Sequence, residues 1–146
     1  MTPEIEAISA PTDDLIALLS RALVELQDHR GGVSLAREIA AAVGVDELAD
    51  VAERLAAAQR LLTATLEGSL VGVLALSLTS PVTILGLFVD RSARRQHVGR
   101  ALVTHAFARA DAPQDAWVLP GDRASKSLYE QAGWKARRLT MSAGSA

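Results

Sequence analysis

The sequence predicts an α/β fold, a mixed and mostly antiparallel sheet flanked by helices. Three observations carry this. The run Ile84 to Val89 is apolar throughout and bounded by Asp90, as expected of a strand covered on both faces. Leu61 to Glu67 and Leu70 to Leu78 read as a hairpin about Gly68-Ser69, which supplies antiparallel pairing. A helical pattern from Val98 to about Ala110 then separates the central strand from the short apolar run Ala116 to Leu119, so that pair is parallel through a right-handed crossover.

Taken in order, Glu4 to Ser9 alternates well enough for a first strand. Thr12 is placed as the N-cap of a helix whose first turn holds Asp13 and Asp14, acidic groups that suit the positive end of the helix. Leu15, Leu18, Leu19, Ala22, Leu23 and Leu26 share one face, and the helix should stop near Gly31-Gly32. A second helix is expected from about Ser34 to Val43, ended by Gly44. A third begins after Asp46 and turns Leu48, Val51, Ala52 and Leu55 inward. Beyond the hairpin, Ser80-Pro81 turns the chain into the central strand. Gly99, Leu102, Val103, Ala106 and Ala110 then share the inner face of the helix that follows. Pro113 breaks the chain before Ala116 to Leu119. A helix from about Arg123 to Ala132, capped by Asp122 and ended by Gly133, leads to a final strand from Trp134 to Met141.

The 146 residues suit one domain, 1–146, able to bury a core without staples. It divides into a strand with three helices (1–60), a core (61–141) and a tail (142–146). Without cysteine there is no disulfide framework, thiolate nucleophile or zinc-thiolate site. Neither a signal peptide nor an apolar run near the ~20 residues of a membrane span is present, so a cytoplasmic protein is expected. The net charge of −2 hides an asymmetry: nine acidic and five basic side chains from Thr12 to Arg60, against five acidic and ten basic from Asp90 to Arg138. The basic half suits a polyanionic ligand, and the acidic half weakly favours a cationic one.

That basic half contains Val89-Asp-Arg-Ser-Ala-Arg-Arg-Gln-His-Val-Gly-Arg-Ala-Leu102, a strand end, an arginine-rich loop and a helix start. Free N–H groups at a helix start carry roughly half a positive charge between them and suit a phosphate. The stretch resembles the GNAT superfamily of acetyl-CoA-dependent N-acetyltransferases. Their signature runs from a strand ending in Val-Asp to Arg or Gln, two residues, Gly, one residue, and Gly or Ala. Gln96-His-Val-Gly99-Arg-Ala101 satisfies it literally. Counted from Val89-Asp90, the preferred register places Arg94 first, Gly99 as the second glycine and His97 where the first glycine usually stands. A histidine there must adopt a tight conformation or turn its ring outward. A second segment, Asp122-Arg-Ala-Ser-Lys-Ser-Leu-Tyr-Glu-Gln-Ala-Gly-Trp134, is similar to the family's Asn…Leu-Tyr-Glu…Gly-aromatic pattern, with Asp122 in the asparagine position.

The resemblance implies a central splayed pair of parallel strands and transfer of an acetyl group from acetyl-CoA to a primary amine. It implies a CoA site of Leu87, Phe88, Val89, Arg94, Arg95, Gln96, His97, Val98, Gly99, Arg100, Ala101 and Asp122, of which Asp122 reads more readily as a helix cap. Tyr129 would protonate the departing thiolate, and with an ordinary pKa near ~10 it holds that proton at neutral pH. The general base is not legible: the matching fifth-strand position is Trp117, and Glu67, Asp115 and His105 are candidates beside water. The family's last strand has no counterpart, so the sheet is one strand short or completed by a second copy in a homodimer. A catalytically weak acetyl-CoA sensor is the alternative to an enzyme. No metal is expected, since His29, His97 and His105 lack ligand spacing. Neither membrane nor nucleic acid is an expected partner. Ser34 to Val45 has the look of half a helix-turn-helix, but Asp46, Glu47, Asp50 and Glu53 against Arg54 is the wrong charge for a recognition helix.

Overall fold

The computed structural model describes residues 2–141 and 143. The order of elements is β1 (Glu4–Ala7), α1 (Asp13–Asp28), α2 (Gly32–Val43), α3 (Leu48–Ala57), β2 (Leu61–Leu66), β3 (Ser69–Leu76) and β4 (Thr83–Val89). A short 3-10 turn (Arg91–Ala93), α4 (Val98–Phe107), β5 (Asp115–Ala116) and α5 (Arg123–Gln131) follow. The strands lie side by side in chain order, antiparallel except for the parallel β4–β5 pair. Among the described residues no helix is long and apolar enough to cross a membrane.

Each face of the sheet has its own core, as a helix-covered sheet requires. On one side Leu15, Leu18, Val43, Val51, Ala52 and Leu55 of α1–α3 pack on Leu61, Val73 and Leu85. On the other, Val98, Leu102, Val103, Ala106 and Tyr129 pack on Leu62, Ala64, Leu74, Leu76 and Ile84. The Thr12 cap forms as expected, its Oγ1 accepting the Leu15 N–H at 3.2 Å.

Several boundaries differ from the sequence expectation. The hairpin turn is Glu67-Gly68, both at positive φ, which places Ser69 in β3 and matches the twist of the strands. α2 starts at Gly32, two residues before Ser34. α4 stops at Phe107, so Ala110 is exposed outside it; beyond the helix, Arg109 is held by Asp111 at 2.8 Å. β4 is not covered on both faces along its length: Ile84 and Leu85 are buried, but Gly86 to Val89 are only half-buried. The expected strand Ala116–Leu119 shrinks to two residues, and Trp134–Met141 forms no strand. With so short a β5 beside it, the last run has no ladder to join, and an unpaired strand does not hold in water; Leu139 and Met141 stay exposed. Apart from Ala143, the tail 142–146 lies outside the described residues.

Candidate active site

The site begins with an irregularity in β4. Leu76 faces Ile84 and Ala75 faces Gly86, so Leu85 has no residue opposite it. A bulge of this kind bends its strand and re-aims the side chains. Before it, β4 pairs with β5 through Thr83 and Ile84, and the Trp117 N–H still donates to the Ile84 carbonyl at 3.0 Å. After it the strands part, and from Leu87 to Val89 no described strand lies on that edge of β4. Leu87 and Val89 pack toward the α4 side and Phe88 toward the α1 side.

At the end of β4 the Asp90 N–H donates to the Val71 carbonyl at 2.7 Å, and Ala93 to Asp90 at 2.9 Å. Then the chain turns sharply, with Arg95 at φ +66° and His97 at φ +63°, the latter as N-cap of α4. Among the described residues the N–H groups of Arg94 to Arg100 have no protein acceptor, and pairing resumes where Ala101 donates to His97 at 3.0 Å. Main-chain N–H groups gathered by left-handed residues at a helix start form an anion-binding concavity. The exposed side chains of Arg95, Gln96, His97 and Arg100 surround it.

His97 thus takes the left-handed conformation that glycine would have taken, with its ring outward and exposed. Such a conformation costs a non-glycine residue about 1–2 kcal/mol, partly offset by the greater unfolded-state freedom of glycine. His97→Gly is therefore expected to stabilise the fold by about 1 kcal/mol in urea unfolding. No change, or a loss, would mean that the ring contributes contacts.

Gly99 has an ordinary helical backbone but a crowded neighbour: an added Cβ would lie 2.8 Å from Leu128 Cδ1. Its role here is the close approach of α4 to α5. That second helix is capped by Asp122, whose Oδ1 accepts the Ser125 N–H at 3.1 Å. Gly133, at φ +89°, ends it and turns the Trp134 N–H back onto the Tyr129 carbonyl at 3.0 Å. Trp134 consequently stacks between Tyr129 and Phe107, with centroids at 5.7 and 4.9 Å. The Tyr129 ring is buried. Its hydroxyl has no hydrogen bond to a described residue and is not sealed from solvent. Burial, with the Asp122 carboxylate adding to it, pushes the phenol well above its ordinary pKa.

On the other face of the sheet, α1 is clasped to the strand end by ion pairs that sequence reading missed. Arg21 Nε lies 2.9 Å from Asp90 Oδ1, and Arg94 Nη2 lies 2.7 and 2.6 Å from the two Glu25 oxygens. Arg94 also donates to the Val89 carbonyl at 3.1 Å and lies over the Phe88 ring, so its side chain faces α1. Burial alone would raise the Glu25 pKa, but Arg94 and Arg91 outweigh it and hold the carboxyl below its usual range. Ser92 and Arg21 do the same for Asp90 against its partial burial. Between this clasp and Phe88 lies a groove of about 380 Å³.

The candidate bases do not converge. Asp115 accepts the Thr83 hydroxyl at 2.6 Å at the closed end of the strand pair, about 20 Å of strand from Val89. Glu67 is exposed in the hairpin turn and His105 on the outer face of α4. Trp117 stands just past β5, partly exposed.

Comparison with solved structures finds the same architecture at low identity. An N-acetyltransferase from Staphylococcus aureus Mu50 matches with a TM-score of 0.61 and 19% identity over 92% of this chain and 84% of that one. A ribosomal-protein-alanine N-acetyltransferase from Brucella melitensis biovar Abortus 2308 matches at 0.59 and 17%, over 98% and 99%. An aminoglycoside acetyltransferase from an uncultured soil metagenomic sample matches at 0.57 and 18%, over the whole of both chains. These likenesses concern the fold. A search of curated proteins found no match. The sequence model of the acetyltransferase (GNAT) family matches residues 25–134. Those bounds take in the end of β4, the loop of free N–H groups and the Tyr129 helix, and the chain belongs to the GNAT acetyltransferase family.

Proposed function

We propose that the protein transfers the acetyl group of acetyl-CoA directly to a primary amine. One observation carries this reading: Tyr129 packs in the core on the α4 side of the sheet and the α1 groove opens on the other side, with the free edge of β4 at Leu87 to Val89 belonging to the same sheet. That arrangement lets an amine reach the thioester carbon from one side while a proton donor meets the sulfur from the other.

The loop fits a diphosphate, because its unpaired N–H groups are already oriented and lie among arginines. Arg95, Gln96, His97, Val98, Gly99 and Arg100 would hold it through the main chain, and the free edge at Leu87, Phe88 and Val89 would take the pantetheine amides. Arg94 and Asp122 act one step removed, Arg94 by fixing the loop to α1 and Asp122 by capping α5. Ala101 belongs to the first closed turn beneath the loop. Acetyl-CoA supplies a thioester carbonyl that accepts the amine nitrogen as the carbon–sulfur bond breaks. Tyr129 donates its O–H proton toward the departing sulfur and is reprotonated from water, and water at the open groove takes the proton lost by the amine.

Calorimetry with CoA, followed by a thiol-release assay with acetyl-CoA and a panel of amines, tests this. Heat on CoA addition and amine-dependent release are expected. Binding without release of thiol would make the protein an acetyl-CoA sensor, and no binding would remove the assignment altogether.

A further inference from the structure

Resting on that acetyltransferase reading, we infer that His29 is the general base of the transfer, taking up, through the groove's water, the proton that the acceptor amine loses. Arg21, Glu25 and His29 follow one another at intervals of four and so share one stripe of α1 and its C-terminal cap. Arg21 and Glu25 hold the helix to Asp90 and Arg94, just past the end of β4. One further turn, about 6 Å of helix, carries the stripe away from β4 toward the continuation of β5.

Two close approaches fix where it arrives. A Cβ added at Gly121 would lie 3.4 Å from His29 Nδ1, and one added at Gly31 would lie 3.6 Å from Leu119 Cδ2. The turn after α1 therefore rests on the loop 119–121 between β5 and α5. Val118 packs toward the α4 side, and the alternation of an extended chain turns Leu119 to the α1 side. Carried on at the register that pairs Thr83 with Asp115, residues 119–121 stand at about the level of 87–89, across the gap left where the strands part. Asp122 comes next, and its carboxylate acts on the Tyr129 phenol. The imidazole and the phenol thus flank one loop, His29 from the α1 side and Tyr129 from the α4 side.

The backbone sets the position of His29 and leaves its ring uncommitted. Its N–H donates to the Leu26 carbonyl and its carbonyl accepts the Gly32 N–H, both at 3.0 Å. Among the described residues the ring makes no hydrogen bond or ion pair, and neither nitrogen is sealed from solvent. Imidazole is the side chain suited to accept and release a proton near neutral pH. Glu25 and Asp90, whose carboxyls are held below their usual range, accept one poorly. His97 belongs to the loop of free N–H groups and His105 to the outer face of α4.

The step balances without a further reactant. As the amine lone pair forms the carbon–nitrogen bond, the carbon–sulfur bond breaks and its electron pair passes to sulfur, which Tyr129 protonates. The proton lost by nitrogen passes to the water while that water gives one to His29, and the imidazolium releases it to solvent before the next turnover.

The test measures thiol release from acetyl-CoA with 2-phenylethylamine, spermidine and glycinamide as acceptors, for the full chain and for His29→Gln, His29→Ala and Asp28→Asn, with CoA binding followed by calorimetry. Both His29 variants are expected to lose about a hundredfold in kcat at unchanged CoA affinity, and free imidazole should restore about tenfold to His29→Ala. A merely structural ring would be replaced by glutamine and would not respond to imidazole. A loss below about fivefold in His29→Gln, a loss that imidazole leaves in place, weakened CoA binding in these variants, or a larger loss in Asp28→Asn would each overturn the inference and leave the acetyltransferase reading standing. Absence of amine-dependent release from the unsubstituted chain would overturn both.

Discussion

Tyr129→Phe is expected to lower kcat for amine-dependent thiol release about a hundredfold, the lower end of what a positioned acid contributes. The substitution removes one oxygen and keeps the ring stacked on Trp134. Because the hydroxyl has no hydrogen bond to a described residue, stability should stay within about 0.5 kcal/mol, and CoA affinity should hold. The direction of the pKa shift refines the mechanism. A phenol pushed above its ordinary value is protonated throughout the neutral range, but it is a weaker acid than a thiol of pKa near ~8.5. Its contribution is therefore a hydrogen bond to sulfur that strengthens as negative charge grows, with the proton passing only as water resupplies the phenol. The alkaline limb of the kcat profile should accordingly not report Tyr129 below the pH at which the protein unfolds. A loss of less than about fivefold in kcat would exclude Tyr129 as the donor and leave it a core aromatic.

Gly72→Val is expected to destabilise the fold by about 3 kcal/mol, through overpacking rather than backbone strain. An added Cβ there would lie 2.9 Å from Val98 Cγ1, 3.1 Å from Leu102 Cδ1 and 3.3 Å from Ala64 Cβ. Val98 and Leu102 are both buried under α4 and cannot all swing aside. The helix must lift from the sheet, and since Val98 is its first residue, the loop of free N–H groups lifts with it. Weaker CoA binding should therefore accompany the lower urea midpoint. Gly86→Ala is the control: an added Cβ meets nothing within 4 Å, so stability should be unchanged or slightly raised. Equal effects at the two glycines would mean that α4 does not rest on Gly72 as described.

Much of the fold was readable because local rules and burial agreed. Thr12 before Asp13-Asp14, the apolar stripe Val51-Ala52-Leu55 and the Gly99-Leu102-Val103-Ala106 face stand where periodicity placed them, and only Ala110 falls outside its helix. The strand ends were harder. The two-residue β5 follows from divergence after the Leu85 bulge, and a continuous apolar run carries no mark of a bulge. Trp134–Met141 had the composition of a strand but no neighbour, which composition does not reveal. Tyr129, His97 and Gly99 were candidates from the sequence because they sit in short motifs, and the structure describes their surroundings. Glu25 was not: it is one carboxylate on a polar helix face, and its partner Arg94 is 69 residues away.

The order of elements, the caps, the loop rich in arginine and the single tyrosine are properties of neighbours along the chain, set by backbone sterics, side-chain period and charge. Those the amino-acid order determined without help. Which carboxylate would neutralise Arg94 and which would hold Arg21 were decided only when α1 docked on β4. Such pairings depend on distances between segments remote in the chain, and packing alone fixes those distances.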